Sequence, residues 1–182
     1  RYISFTGSPE VGQAVLRACD RHGTRVKREM GGNGAAIVLK DADPELVARI
    51  ISRNTNQHYG QTCCTIHRCF VERPIVDDFI DATRSFMEEL NIGYQADEGT
   101  QLGPVINPTQ RQRILTAIKA ARHAGGVPIL EGGATKVTDH NGFYLKPSLF
   151  KADPGVNCNP KEIFHTFATV RPVDSVDEAL EL

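Results

Sequence analysis

An α/β domain layered about a mostly parallel sheet is the fold class that this sequence predicts, on three observations. Short apolar runs alternate with longer runs whose apolar residues recur at helical spacing, the pattern from which parallel sheets are built. Glycine, proline and asparagine gather between those runs, where turns need them. The composition, 40% apolar and 24% charged over 182 residues, is that of an ordinary folded chain long enough to bury a sizeable core. No internal repeat and no low-complexity run interrupts it.

In chain order, YISF near the start reads as a strand. Ser8 follows as a candidate N-cap with Pro9 at the first helical position, and Val11, Ala14, Val15 and Ala18 recur at helical spacing until Gly23. RVKREM and AAIVL read as two strands around a GGNG turn. Asp43 and Pro44 open a helix with Leu46, Val47, Ile50 and Ile51 on one face. HRCFVE is a strand, and a helix from about Pro74 to Leu90 turns Val76, Phe79, Ile80 and Phe86 inward. Asn107 and Pro108 begin another, with Ile114, Leu115, Ile118 and Ala121 apolar and with Arg111, Arg113, Lys119 and Arg122 on a solvated face. VPIL, GFYLKPSLF and FATVRPV read as strands, and Ser175 with Glu178 three residues on announces a final capped helix.

A formal net charge of −1 speaks against a nucleic-acid binder and against an acidic disordered tail. No run approaches the roughly 20 apolar residues that span a bilayer. Five unevenly spaced cysteines are not a secreted disulfide framework, so a reducing, cytoplasmic setting is expected. The chain opens at Arg1 in a strand-like run and closes at Leu182 inside the first turns of a helix, so a piece of a longer protein is expected.

Three of the cysteines fall in GQTCCTIHRC, residues 60–69. Adjacent Cys63 and Cys64 with His67, Cys69 and nearby His58 lack the paired spacing of a zinc site, so no metal is expected. A Cys63–Cys64 disulfide is strained by ordinary disulfide geometry. Cys19, Cys69 and Cys158 read as small buried hydrophobes. Cys63 follows a glycine-containing turn after a helix, where backbone N–H groups can face a thiolate and the charge developing on a bound carbonyl. On these residues alone, nucleophile and buried hydrophobe both stand for it.

The order of the motifs resembles the NAD(P)-dependent aldehyde dehydrogenase superfamily over essentially all 182 residues. FTGSPEVG is similar to that family's F-T-G-S-x-x-V-G turn, REMGGNGAAIVLKDAD to its E-L-G-G-x-x-x-x-I-V segment and GQTC to its G-Q-x-C signature. QLGPVI, GFYLKPSLF and KEIFHTF resemble three further segments in register. The resemblance implies an α/β catalytic domain from residue 29 to 182, incomplete at its C-terminus, preceded by the end of a dinucleotide-binding domain over 1–28. It implies oxidation of an aldehyde to a carboxylic acid, with Cys63 as thiolate nucleophile and hydride passing to NAD or NADP. Glu29, otherwise a surface glutamate on a strand edge, becomes the general base for thioester hydrolysis. Gly7 and Ser8 lie at the cofactor, and Gly12 allows close helix packing. The resemblance further implies that Glu162 holds the nicotinamide ribose hydroxyls and that Phe164, otherwise core, sits beside the nicotinamide. The parent protein is expected to be a homodimer or homotetramer.

The match departs from the pattern in places. His165 and Thr166 replace a glycine and a proline, and Lys161 an acidic residue, so an altered ribose contact is expected. His58 and Tyr59 stand where the family has asparagine and a small or amide residue, and are expected to reshape the aldehyde pocket, with His58 a wall or structural residue. Family segments for adenosine ribose and for half of the oxyanion hole precede Arg1, so little turnover is expected of these residues alone. The alternatives are a coenzyme A-acylating relative, against which Glu29 speaks, and a non-catalytic fold relative acting as an interaction protein.

Overall fold

The computed structural model describes residues 1–153 and 155–182. They form two compact units, Arg1–Gly32 and Asn33–Leu182.

The first unit is strand, helix, strand. Strands β1 (Tyr2–Gly7) and β2 (Arg25–Met30) pair in parallel from Tyr2 opposite Arg25 to Gly7 opposite Met30. Helix α1 (Pro9–Asp20) connects them; the Ser8 hydroxyl accepts from the Val11 amide at 3.4 Å, as an N-cap should. The face that α1 buries is not the expected one. Gly12 and Cys19 are its buried residues, whereas Val11, Ala14 and Ala18 are exposed. The cause is a close approach that apolar spacing cannot reveal: a Cβ on Gly12 would come within 2.6 Å of the Met30 sulfur.

In the second unit the elements run β3 (Gly34–Val38), α2 (Pro44–Asn56), β4 (Ile66–Glu72), α3 (Val76–Glu88), α4 (Pro108–His123), β5 (Val127–Leu130), β6 (Gly133–Ala134), β7 (Leu145–Lys146), β8 (Ser148–Lys151), β9 (Phe167–Val173) and α5 (Val176–Glu181). The main sheet has the order β3-β4-β9-β8-β5 and is parallel except where β5 meets β8. The α/β class with a mostly parallel sheet is thus what the chain adopts. Every residue of central β9 is buried, as befits a strand covered on both faces. Ala48, Ile51, Phe79 and Ile80 of α2 and α3 pack with Val38, Val71 and Val170 on one face. Ile114, Ile118 and Ala121 of α4 pack with Phe150 and Phe167 on the other. Adjacent Leu149 and Phe150 of β8 serve opposite clusters, the alternation a strand imposes.

Of the expected α2 face, Ile51 is buried and Val47 is half-buried against the same core, and the rest differs. Leu46 and Ile50 are exposed, while Ser52, Thr55 and Asn56 are buried beside Ala48 and Ile51. Burial of Thr55 costs little because its hydroxyl donates to the Ile66 carbonyl at 2.9 Å. Among the described residues no helix is long and apolar enough to cross a membrane.

Candidate active site

Three parallel strands of the second unit, β4, β9 and β8, begin along one edge of the sheet, and the segments leading into them meet there. Residues 60–65 precede β4, residues 163–166 precede β9, and Leu145–Lys146 precede β8.

The segment before β4 carries the adjacent cysteines. The Thr65 amide donates to the Thr62 carbonyl at 3.3 Å, closing a four-residue turn with Cys63 and Cys64 at its tip. The Thr65 hydroxyl lies 2.8 Å from both the Thr62 carbonyl and the Thr62 hydroxyl, and 3.3 Å from the Gly60 carbonyl. Both threonines are therefore structural, a role that sequence reasoning missed. Cys63 and Cys64 are exposed as free thiols, and the Cys63 amide finds no acceptor among the described residues. Cys19, Cys69 and Cys158 are buried, as the sequence predicts. Burial pushes the Cys69 thiol up to about 12 and also raises that of Cys158, which keeps both protonated and unreactive.

This turn leans on the segment before β9. A Cβ on Gly60 would collide with the His165 carbonyl, and Gly60 also has φ +68°, so only glycine fits. Gly34 plays the same part on the other side, where a Cβ would strike the Thr65 carbonyl. Gly60→Ala is expected to lower folding stability by about 2–4 kcal/mol, from the left-handed conformation and the overlap together. Urea denaturation of the purified variant checks this; an unchanged midpoint would show that the turn is not held as described.

Phe164 and half-buried Glu162 lie in the apposed segment. Phe164 has φ +56°, a conformation that bulky residues avoid unless their surroundings impose it. The imposing group is Gln110 of α4, whose amide donates to the Ile163 carbonyl at 3.2 Å and the Phe164 carbonyl at 3.4 Å. Gln61 ties in from the cysteine side, accepting from the Ile106 amide at 3.2 Å. Gln61 falls in the GQTC match with no role read for it, and Gln110 could not be singled out from local pattern, since each acts across the fold. The second unit therefore brings the Cys63 turn to the segment holding Glu162 and Phe164.

Tyr59 is buried at 3% exposure, with its hydroxyl hydrogen-bonded to the backbone of Leu145. It faces inward, contrary to the expected place in an aldehyde pocket. His58 is exposed. His165 and Thr166 are fully buried as well, with His165 Nε2 3.4 Å from the Lys146 carbonyl. Burial pushes the His165 imidazole down to about 3 and lowers that of His67, whose Nδ1 lies 2.8 Å from the Phe167 carbonyl.

The sign of the linkage follows. Both histidines take up protons more readily when unfolded, so their contribution to stability is present above the unfolded value near 6.5 and is lost as pH falls below it. For His165 the loss between pH 7.5 and 5.5 is about 1 kcal/mol. Urea midpoints at the two pH values measure it, and the difference should shrink in His165→Gln. An equal pH dependence in that variant would contradict a neutral buried imidazole.

In the first unit, Gly7 and Ser8 are exposed at the N-terminus of α1, and Glu29 is paired in register with Thr6. The parallel strands carry the turn and the glutamate to the same, carboxyl end of the pair. Glu29 is exposed and forms an ion pair with Lys27 at 3.1 Å. That pair is a weak surface interaction which leaves the carboxylate free to accept elsewhere. A Cβ on Gly7 would sit 2.7 Å from the tip of the Phe5 ring, which would have to shift to admit it.

Among the described residues no group of three or more His, Cys, Asp or Glu is disposed to hold a metal ion. The family model for the aldehyde dehydrogenase family matches residues 1–182. Benzaldehyde dehydrogenase YfmT of Bacillus subtilis is 34% identical over 100% of this chain and 36% of its own length. Vanillin dehydrogenase of Amycolatopsis is 35% identical over 100% of this chain and 36% of its own. The crystal structure of Staphylococcus aureus betaine aldehyde dehydrogenase in complex with NAD+ superimposes with a TM-score of 0.91 at 27% identity, over 99% of this chain and 36% of that one. The chain thus spans about a third of the length of the relatives it matches.

Proposed function

The chain belongs to the aldehyde dehydrogenase family, and from that premise we propose that it supplies the nucleophile and base of an enzyme oxidising an aldehyde to a carboxylic acid with a nicotinamide dinucleotide. The observation that carries this is the contrast among the cysteines: exposed Cys63 at the tip of a braced turn, against three buried thiols. Exposed Cys64, one residue on, is a bystander, because Cys63 is the one that matches the family signature.

Cys63 as thiolate attacks the aldehyde carbonyl carbon, giving a thiohemiacetal whose oxygen carries the developing negative charge. The unpaired Cys63 amide is a donor suited to that oxygen. Loss of hydride leaves a thioester on Cys63. Glu29 removes a proton from water, which attacks the thioester carbonyl and releases the acid and the thiol.

The residues present fit a dinucleotide. An exposed helix N-terminus after a glycine suits a pyrophosphate, placed at Gly7 and Ser8, with Gly12 close to Met30 of the neighbouring strand. Glu162 would take the nicotinamide ribose hydroxyls and Phe164, held by Gln110 in its left-handed conformation, would flank the ring. Bound there, the nicotinamide supplies the hydride acceptor. NAD is the first choice because a structural relative binds it.

We assign residues 1–28 to the end of a dinucleotide-binding domain and residues 29–182 to the catalytic domain, with Glu29 itself standing in β2 of the first compact unit. A cytoplasmic parent protein forming a homodimer or homotetramer completes the proposal. The test is reduction of NAD+ or NADP+ by the full-length protein with benzaldehyde and vanillin, the aldehydes named for its relatives, compared with its Cys63→Ala variant.

A further inference from the structure

Building on the assignment of Cys63 as nucleophile, we propose that Tyr59 and His165 act as a positioning pair which holds the Cys63 turn in its reactive place. The chain enters that turn through three consecutive left-handed residues, His58, Tyr59 and Gly60, with φ of 50°, 63° and 68°. Two of them carry side chains that disfavour this conformation, and such runs persist only where surrounding contacts impose them.

Tyr59 is where those contacts converge. Its hydroxyl donates to the Leu145 carbonyl and accepts from the Leu145 amide at 2.7 Å, clasping one backbone residue by both polar groups. Its ring meets the His165 imidazole edge-on, with centroids 5.0 Å apart and planes at 85°. His165 in turn abuts Gly60, the next residue toward Cys63. The Tyr59 side chain thus ties the turn to β7 through Leu145, while the His165 backbone lies against Gly60 and the His165 ring packs on the Tyr59 ring.

The His165 ring is fully buried and kept neutral by burial. It is held by packing, since its Nδ1 has no partner among the described residues and its Nε2 only a long contact. Tyr59 and His165 both stand where the sequence departs from the aldehyde dehydrogenase pattern, and the structure brings the two departures into contact.

A double-substitution cycle in the full-length protein, with benzaldehyde and NAD+ and with kcat and KM read separately, tests the pair. Tyr59→Leu and His165→Ala are each expected to lower kcat about tenfold with the aldehyde KM within about twofold of wild type. The double variant should fall no further than either single, because loss of one partner already frees the other. Tyr59→Phe, which keeps the ring, should stay within about threefold of wild type. Independent, multiplying effects, or wild-type kcat in either single variant, would overturn the pair.

Cys63→Ala measured alongside separates this proposal from the one beneath it. Retained activity there removes the nucleophile assignment and the positioning role with it. Inactive Cys63→Ala together with silent or independent Tyr59 and His165 removes the pair alone. If the larger substitutions prevent folding, hydrogen exchange in His165→Gln, which removes the ring while nearly keeping its volume, decides. Exchange over residues 57–65 is expected to quicken at least about fivefold with α3 unchanged; a uniform change, or none, refutes the pair.

Discussion

Replacement of Cys63 by alanine in the full-length protein is expected to reduce aldehyde-dependent NAD+ reduction by about 10³-fold or more. The size follows from what the thiolate does: it converts the aldehyde into a tetrahedral adduct from which hydride can leave, and no other group offers that bond. Cys69 and Cys158 cannot substitute, because both are buried and burial holds both thiols protonated. Cys64 is exposed too, which makes it the informative control. Cys64→Ala should retain activity within about threefold, since its side chain has no assigned bond to form. The reverse pattern would move the nucleophile one residue along the turn and break the match to the family signature.

The second large effect is expected at Glu29. Glu29→Gln keeps the shape and hydrogen-bonding reach of the side chain but removes its capacity to take a proton, so steady-state turnover should fall about 10²–10⁴-fold. The first turnover should survive. Attack by Cys63 and hydride loss need no base at Glu29, so rapid mixing should show a burst of reduced dinucleotide close to one per active site, followed by near silence. Exposure of Glu29 and its loose ion pair with Lys27 fit this role, because a water-activating carboxylate must reach solvent. A variant that loses burst and steady state equally would instead make Glu29 a structural residue.

Much of this was legible in the sequence because it depends on short-range chemistry. Asn107 caps α4 by accepting from the Gln110 amide at 2.7 Å, and Ser175 caps α5 by accepting from the Glu178 amide at 3.2 Å, at the positions their spacing foretold. Ile114, Ile118 and Ala121 are buried as their periodicity requires. The buried sides of α1 and α2 include contacts that apolar spacing does not encode, Gly12 close to Met30 and the Thr55 hydroxyl donating to the Ile66 carbonyl. The site was legible only as a set of motifs. Contact of Tyr59 and Gly60 with His165, or of Gln110 with Phe164, depends on strand order and on side chains far apart in sequence, and no local pattern encodes it.

The central claim is that the Cys63 sulfur and the Glu29 carboxylate serve one aldehyde in succession. Its most direct test is acid quenching of full-length Glu29→Gln after mixing with benzaldehyde and NAD+, followed by mass spectrometry of the peptide holding residues 60–69. A benzoyl group on Cys63, accumulating in step with the burst and scarce in wild type under the same conditions, is the predicted result. An unmodified peptide, or an acyl group on any other residue, would contradict it.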